Sequence, residues 1–192
     1  MTNIFNYIKL LLIFLFISVF ISFFTIFYTL WRYSPELPSY NSIIEYKPNL
    51  SSRIYSSDGF LLKSFYTEER IFIPVNRIPK NIKNAFLASE DKNFYDHHGI
   101  DIIAIFRAFF TNIININSKK RVVGASTITQ QVVKNLLLSN ELSYSRKIKE
   151  IILAIRIENI LEKNDILELY LNDIYLGFGS YGIGSASLNY FN

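Results

Sequence analysis

Cysteine is absent from the 192-residue sequence, which excludes disulfide bonds and thiolate metal sites. The sequence also has little excess of positive over negative charge. Its net charge is only +4, and the one clear basic run is Lys119–Arg121. A nucleic-acid-binding protein with long basic tracts is therefore not indicated. The hydrophobic fraction is 50%, too high for a disordered chain. The length suits one catalytic domain with a membrane anchor.

The segment from Leu10 to Trp31 contains no charged residue and predicts a transmembrane helix. As a helix it would be about 33 Å long, enough to cross a hydrocarbon core of about 30 Å. A cleaved signal peptide is the alternative, but its apolar region usually has about 7–15 residues and ends in small side chains. This segment instead continues through Phe27 and Tyr28, so we predict an uncleaved signal anchor. Lys9 precedes it, which favours a cytoplasmic N-terminus by the positive-inside rule.

The sequence predicts three regions: a cytoplasmic tip and anchor at residues 1–32, a proline-containing linker at 33–52, and a catalytic domain at 53–192. Within the domain, short apolar segments flank Ser57–Gly59 and predict a β-hairpin, and Arg70–Val75 predicts a third strand. Beyond these segments the apolar residues recur at three- and four-residue intervals, which is typical of helices. The predicted helices are Pro79–Leu87, Ile100–Ile116, Ser126–Leu138, Ser143–Leu161 and Asp165–Leu176. The fold class is therefore mainly α, with a small N-terminal β element and one preceding transmembrane helix.

The stretch from Ala88 to Gly99 contains the best candidate for acid–base chemistry. Glu90 and Asp91 follow the helix that begins at Pro79, so they fall near its C-terminal end. The helix dipole is negative there and disfavours an added negative charge by about 0.3–1 kcal/mol. Such a position suits a general base, which works best when its pKa lies close to the operating pH. A solvated helix end without a catalytic role explains the same residues.

A second polar stretch, Gly124–Asn135, reads G-A-S-T-I-T-Q-Q-V-V-K-N. Ser126 or Thr127 can cap the helix that follows, and the two glutamines lie three and four residues before Lys134, on one helix face. An anionic ligand such as a diphosphate would fit this face, because a helix N-terminus also offers free amides. An ordinary N-cap on a solvated amphipathic helix is the alternative.

Two further stretches are weaker signals on their own. Arg146 and Glu150 are one helical turn apart, which an exposed ion pair worth about 0.2–0.5 kcal/mol would explain. The segment from Lys163 to Ala186 contains glycines at positions 177, 179, 182 and 184. These glycines would permit tight turns and close packing beside a cleft.

Taken in order, the four stretches resemble the motifs of the peptidoglycan glycosyltransferase family. This domain occurs in class A penicillin-binding proteins and in monofunctional peptidoglycan glycosyltransferases. The family pattern E-D-x-x-F-x-x-H-x-G is matched from Glu90 to Gly99, and G-x-S-T-x-T-Q-Q-x-x-K-N from Gly124 to Asn135. The pattern R-K-x-x-E is matched from Arg146 to Glu150, and the glycine-containing fourth motif from Lys163 to Gly182. The resemblance covers roughly residues 54–192 and implies a lysozyme-like fold.

The resemblance implies an enzyme that polymerises lipid II by inverting β-1,4 glycosyl transfer from a polyprenyl-diphosphate-linked donor to an acceptor 4-hydroxyl. Glu90 would be the general base, and Glu150 the second carboxylate, which orients substrate or supports the departing group. His97 is tempting as a second base, but we expect it to be structural. Phe94 and Gly99 are likewise expected to be structural or to form the cleft wall. The residues implied to bind substrate or diphosphate are Asp91, Ser126, Thr127, Gln130, Gln131, Lys134, Asn135, Arg146 and Lys147.

The resemblance also implies what the domain would bind. No cofactor is expected to be required and no dedicated metal-ligand cluster is seen, although Mg²⁺ or Mn²⁺ could assist at the diphosphate. The expected partners are lipid II, the growing glycan strand, the bilayer and other cell-wall synthesis proteins, and not nucleic acid. The expected location is the bacterial cytoplasmic membrane, with the domain on the cell-wall side.

Several alternatives stay open. The sequence ends soon after the fourth motif and shows no transpeptidase domain, because the S-x-x-K match at Ser89–Lys92 has no K-T-G partner. We therefore expect a C-terminally incomplete domain, and an inactive fragment that binds lipid II without turnover is one alternative. A lysozyme-like hydrolase is less favoured, because hydrolysis needs no diphosphate clamp. The apolar stretch Ile100–Ile116 could either enter the outer leaflet or form buried core.

Overall fold

The computed structural model describes residues 2–38, 43, 52–65, 69–116, 118, 120–138 and 143–191. Helices dominate it, as predicted. They are α1 (Thr2–Tyr33), α2 (Lys80–Glu90), α3 (Ile102–Ile114), α4 (Ile128–Leu137), α5 (Tyr144–Glu158), α6 (Lys163–Asp173) and α7 (Gly182–Phe191). The strands are β1 (Ser52–Tyr55), β2 (Leu61–Phe65), β3 (Glu69–Arg70) and β4 (Ser180–Tyr181), and short 3-10 turns lie at Ser34–Glu36 and Val75–Arg77.

The N-terminal helix α1 contains the whole predicted span, and its most apolar window has a mean hydropathy of 2.9 and is not buried by the protein. By length and composition it could cross a membrane. The turn that follows it docks on α5, where Lys149 Nζ lies 2.8 Å from Glu36 Oε2 and Arg156 Nη2 donates to Ser34 Oγ at 2.5 Å. The predicted linker therefore begins as an ordered turn. Its remainder at residues 39–42 and 44–51 lies outside the described residues.

The predicted hairpin is present, because β1 and β2 pair antiparallel across Ser57–Gly59. The predicted third strand is wrong in length. Only Arg70 of Arg70–Val75 is in a strand, and β3 pairs parallel with β4, more than a hundred residues later, instead of with the hairpin. Beyond Arg70, side chains of α6 form hydrogen bonds with backbone groups that a longer strand would have paired with a neighbouring strand. Asn172 bonds the N–H and C=O of Ile73 at 2.8 and 2.9 Å.

The hydrophobic core forms where α4, α5 and α6 meet. Helix α6 lies at its centre, because four of its side chains are at most 1% exposed, namely Ile166, Leu167, Tyr170 and Leu171. Apolar side chains of α4 and α5 pack against them, including Ile128, Val132, Val133, Leu153 and Ile157. Burial on this scale is the main force that fixes the helices relative to one another. The core thereby sets the positions of the N-terminus of α4 and the middle of α5, where three of the four sequence motifs meet.

Helix α3 is apolar yet contributes little to this core. Ala108 is its only buried residue, while Ile103, Phe106 and Phe110 are 70%, 60% and 59% exposed. Of the two alternatives for this stretch, buried core is therefore wrong. An exposed patch of several large apolar side chains is typical of a surface that contacts a membrane or another molecule.

Candidate active site

Glu90 is the last residue of α2, and its side chain is exposed. The helix ends there because Asp91 leaves the helical conformation, with its N–H still bonded to the C=O of Leu87 at 3.0 Å. From α4, Gln131 Nε2 donates a hydrogen bond to Glu90 Oε2 at 3.0 Å. The first two motifs therefore meet at the carboxylate, which remains open to solvent.

Asp91, by contrast, is 6% exposed and is used to hold two elements together. Both of its carboxylate oxygens lie 3.0 Å from His97 Nε2, and Oδ2 accepts the N–H of Ile128 at 2.9 Å. A carboxylate at the N-terminus of α4 is favoured by the helix dipole. This geometry favours a positioning role for Asp91 over direct contact with substrate. It also supports the structural role expected for His97.

The rest of the first motif packs against the core. Phe94 is 1% exposed, and Lys163 Nζ lies 4.5 Å from its ring centroid. Gly99 has φ = +87°, and a Cβ at this position would lie 2.7 Å from the backbone carbonyl atoms of Ala154 on α5. Only glycine fits such a conformation and such a close approach. These two residues therefore hold the loop after Glu90 in place.

Thr127, and not Ser126, caps α4. Its hydroxyl accepts the N–H of Gln130 at 3.2 Å, and Gln130 Oε1 accepts the N–H of Thr127 at 2.9 Å, which completes a capping box. The Thr127 hydroxyl also donates to the C=O of Gly99 at 2.6 Å. Both Thr127 and Gln130 are at most 2% exposed. The Thr127 hydroxyl and the Gln130 amide oxygen are therefore occupied within the protein, and the burial of both side chains argues against direct contact with a diphosphate.

The third motif forms an ion pair, but with a different partner from the one predicted. Lys147 Nζ lies 2.5 Å from Glu150 Oε1 and donates to Ser126 Oγ at 2.9 Å. The predicted pair between Arg146 and Glu150 is wrong, because a three-residue spacing brings Lys147 to the same face. Arg146 lines a separate cavity of about 380 Å³ beside Glu36, at the end of the anchor. Glu150 is almost fully buried, so the pair with Lys147 compensates its charge.

A cavity of about 250 Å³ lies between the loop after Glu90 and the segment before α4. Its wall contains Glu90 and Ser126, together with two cations that the sequence analysis missed, Lys92 and Arg107. Arg107 could have been found, because it is the one charged residue in the otherwise apolar α3. The further lining residues include Ala88, Ser89, Asp91, Asn93, Asp101, Ala104, Gly124, Ala125 and Thr127.

Lys134 and Asn135 lie further along α4. Lys134 is half-buried and Asn135 is exposed, and neither lines the cavity around Glu90. Within the part of the chain that the structure describes, no group of three or more histidine, aspartate or glutamate side chains could hold a metal ion.

The family model for the transglycosylase domain matches residues 58–192. This chain belongs to the transglycosylase family. The matched region contains every motif described above and includes both walls of the cavity around Glu90. The assignment agrees with the family indicated by the motif spacing.

Relatives of this transglycosylase chain include penicillin-binding proteins 1A. The protein of that name from Rickettsia bellii is 52% identical over 163 residues, which cover 85% of this chain and 21% of the relative. The Escherichia coli K12 protein is 45% identical over 84% of this chain and 19% of its own length. The chain thus spans about a fifth of the length of the curated relatives it matches. Together with α1, these relatives indicate an inner-membrane protein.

Proposed function

We propose that the chain polymerises lipid II into glycan strands by inverting β-1,4 glycosyl transfer. The observation that carries this proposal is the exposed Glu90 carboxylate on a cavity wall that also contains Lys92 and Arg107, in a chain of the transglycosylase family. Glycosyl transfer from a diphosphate requires both kinds of group. A base must take the acceptor proton, and cations must stabilise the departing anion.

In this mechanism Glu90 removes the proton of the acceptor 4-hydroxyl as that oxygen attacks the anomeric carbon of the donor. The bond to the diphosphate breaks on the opposite face, so the α-linked donor gives a β-linked product. The electron pair of the broken bond leaves with the diphosphate, and Glu90 later releases its proton to water. Gln131 supports this role, because its hydrogen bond holds one carboxylate oxygen.

The cations of the site would hold the diphosphate. Lys147 is the best placed of the motif residues, because Glu150 and Ser126 fix its ammonium group. We assign Glu150 the role of positioning Lys147, in place of direct contact with the departing group. Arg107, on the cavity wall, joins the residues of the sequence motifs in this role.

The other motif residues that were predicted to bind substrate fall into two groups, according to whether their side chains are exposed or buried. We propose that Lys134, Gln131 and Asn135 contact the diphosphate or the sugars, because their side chains are at least partly exposed. Arg146 lines the separate cavity beside Glu36 and is not assigned to the diphosphate. Asp91, Thr127 and Gln130 instead position the loop and the N-terminus of α4, through the hydrogen bonds described above. A Mg²⁺ or Mn²⁺ ion, when bound, would neutralise the diphosphate, with the substrate oxygens as its main ligands.

The bilayer would be the second partner. We propose that α1 spans the cytoplasmic membrane with its N-terminus inside, and that α3 enters the outer leaflet from the cell-wall side. The exposed side chains of α3 support this arrangement, because Ile and Phe side chains gain free energy at the boundary of the acyl chains. A lipid-linked substrate would then reach the cavity without leaving the bilayer. Tethering of the domain also raises the effective concentration of substrate.

The test is polymerisation of labelled lipid II by the purified chain in detergent. We expect a ladder of glycan products from the wild-type chain and none from Glu90→Gln, because glutamine cannot accept the proton. Asp96→Asn is the matched control, since Asp96 is an exposed acid of the same loop, and it should retain the ladder.

Binding of lipid II distinguishes the alternatives. Glu90→Gln should bind lipid II within about twofold of the wild-type affinity, because the substitution preserves shape. Binding by the wild-type chain without any product would identify an inactive fragment. Shortening of preformed glycan strands would identify a hydrolase.

A further inference from the structure

The Tyr170 hydroxyl is buried without a hydrogen-bond partner among the described residues. Tyr170 lies on α6 and is 1% exposed. A buried phenol that makes no hydrogen bond has lost its bond to water without a replacement. Phenylalanine would fill the same space without that cost. The Tyr170 hydroxyl is therefore available to donate a hydrogen bond to a group that moves within reach.

The packing of Tyr170 places it against the helix that carries the proposed base, one turn before Glu90. Its ring makes an edge-to-face contact with Phe86 of α2, with ring centroids 6.1 Å apart. Phe86 and Glu90 are four residues apart on α2, so they lie on the same helix face. The charge of Glu90 also acts on the phenol. Burial first, and then this charge, raise the pKa of Tyr170 above its ordinary value, so the hydroxyl stays protonated and remains a hydrogen-bond donor.

We infer that Tyr170 positions Glu90 during the reaction. When the Glu90 side chain turns from the surface toward α6, the Tyr170 hydroxyl donates a hydrogen bond to its carboxylate. Gln131 already donates to Oε2, which leaves Oε1 as the acceptor for Tyr170. The two donors then fix the plane of the carboxylate and keep it ionised until it takes the acceptor proton. This inference rests on the proposed function, because it assigns Glu90 as the base.

The experiment compares Tyr170→Phe with the wild-type chain in lipid II polymerisation across the pH range. A hydrogen bond to an ionised carboxylate favours the charged form, so its loss should move the acidic limb of the kcat profile to higher pH. The kcat at the optimum should fall by about tenfold, with little change in KM. Tyr144→Phe is the control, because Tyr144 is 95% exposed, and it should match the wild type.

A structural role alone would not move the acidic limb. An unchanged limb and an unchanged kcat in Tyr170→Phe, beside an inactive Glu90→Gln, would overturn the inference and leave the proposed function intact. Full activity of Glu90→Gln would instead refute the base assignment, and the inference with it.

A second readout needs no turnover. In the full chain labelled with ¹³C at glutamate carboxylates, the signal that disappears in Glu90→Gln should titrate at higher pH in Tyr170→Phe than in the wild type. Identical titration in the two proteins would contradict the inference even if the chain proved inactive. Far-ultraviolet circular dichroism should show the same helical content in both, because the ring that packs on Phe86 is retained.

Discussion

Gly99→Ala should strongly destabilise the domain, because two separate costs fall on one position. Gly99 has φ = +87°, and a new Cβ would lie 2.7 Å from the backbone carbonyl atoms of Ala154. A left-handed conformation costs a non-glycine residue about 1–2 kcal/mol. Overpacking against groups that cannot move aside adds about 1–3 kcal/mol. The free energy of unfolding should therefore fall by roughly 2–5 kcal/mol.

Two other glycines separate these costs. Gly179 also has a positive φ, of +73°, but a Cβ there would meet nothing within 4 Å, so Gly179→Ala carries the conformational cost alone. Gly124 has neither feature, and Gly124→Ala should change stability little. Thermal unfolding in one detergent, followed by circular dichroism, should place Gly99→Ala lowest, by roughly 5–15 °C. Equal melting temperatures for Gly99→Ala and Gly179→Ala would refute the close packing of this loop on α5.

Two further predictions concern the site and the fold. Lys134→Ala should weaken lipid II binding by about tenfold while Lys80→Ala, at an exposed position on α2, leaves it unchanged; equal affinities in a binding titration would remove Lys134 from the diphosphate site. Asp101 caps α3, and although burial opposes its ionisation, hydrogen bonds from the Ala104 N–H and from Asn93 outweigh burial and lower its pKa. Its stabilising contribution is therefore present above its unfolded pKa, of about 3.9, and is lost as the pH falls through the lower folded value. Asp101→Asn should flatten the loss of stability below about pH 4, measured as unfolding free energy against pH, and an unchanged slope would argue against this cap.

Local periodicity was enough to predict most of the helices. The apolar spacing placed the helices from α2 to α6 to within a few residues, and all of these except α3 bury an apolar stripe against the core. Helix α7 was missed, because the glycines at positions 182 and 184 in its first turn predicted turns instead. The third strand could not be predicted in the same way. Its two residues pair with Ser180 and Tyr181 far along the chain, and such a short pairing leaves no period in the sequence.

The site was predicted less completely than the fold, because spacing does not decide which side chain takes which partner. Positions 146 and 147 both fall within one turn of Glu150, and the choice of Lys147 depends on how α5 rotates against α4. The burial of Thr127 and Gln130 could not be predicted either, because a capping box and a ligand-binding face use the same residue types. Arg107 was missed because its helix resembles an apolar membrane element.

The central claim is that Glu90 acts as the base of an inverting glycosyl transfer. The most direct measurement is the length-resolved product of labelled lipid II made by the wild-type chain, Glu90→Gln and Asp96→Asn. The account predicts a ladder of β-1,4-linked glycan from the wild type and Asp96→Asn, and none from Glu90→Gln. A ladder from Glu90→Gln as strong as that of the wild type would contradict it.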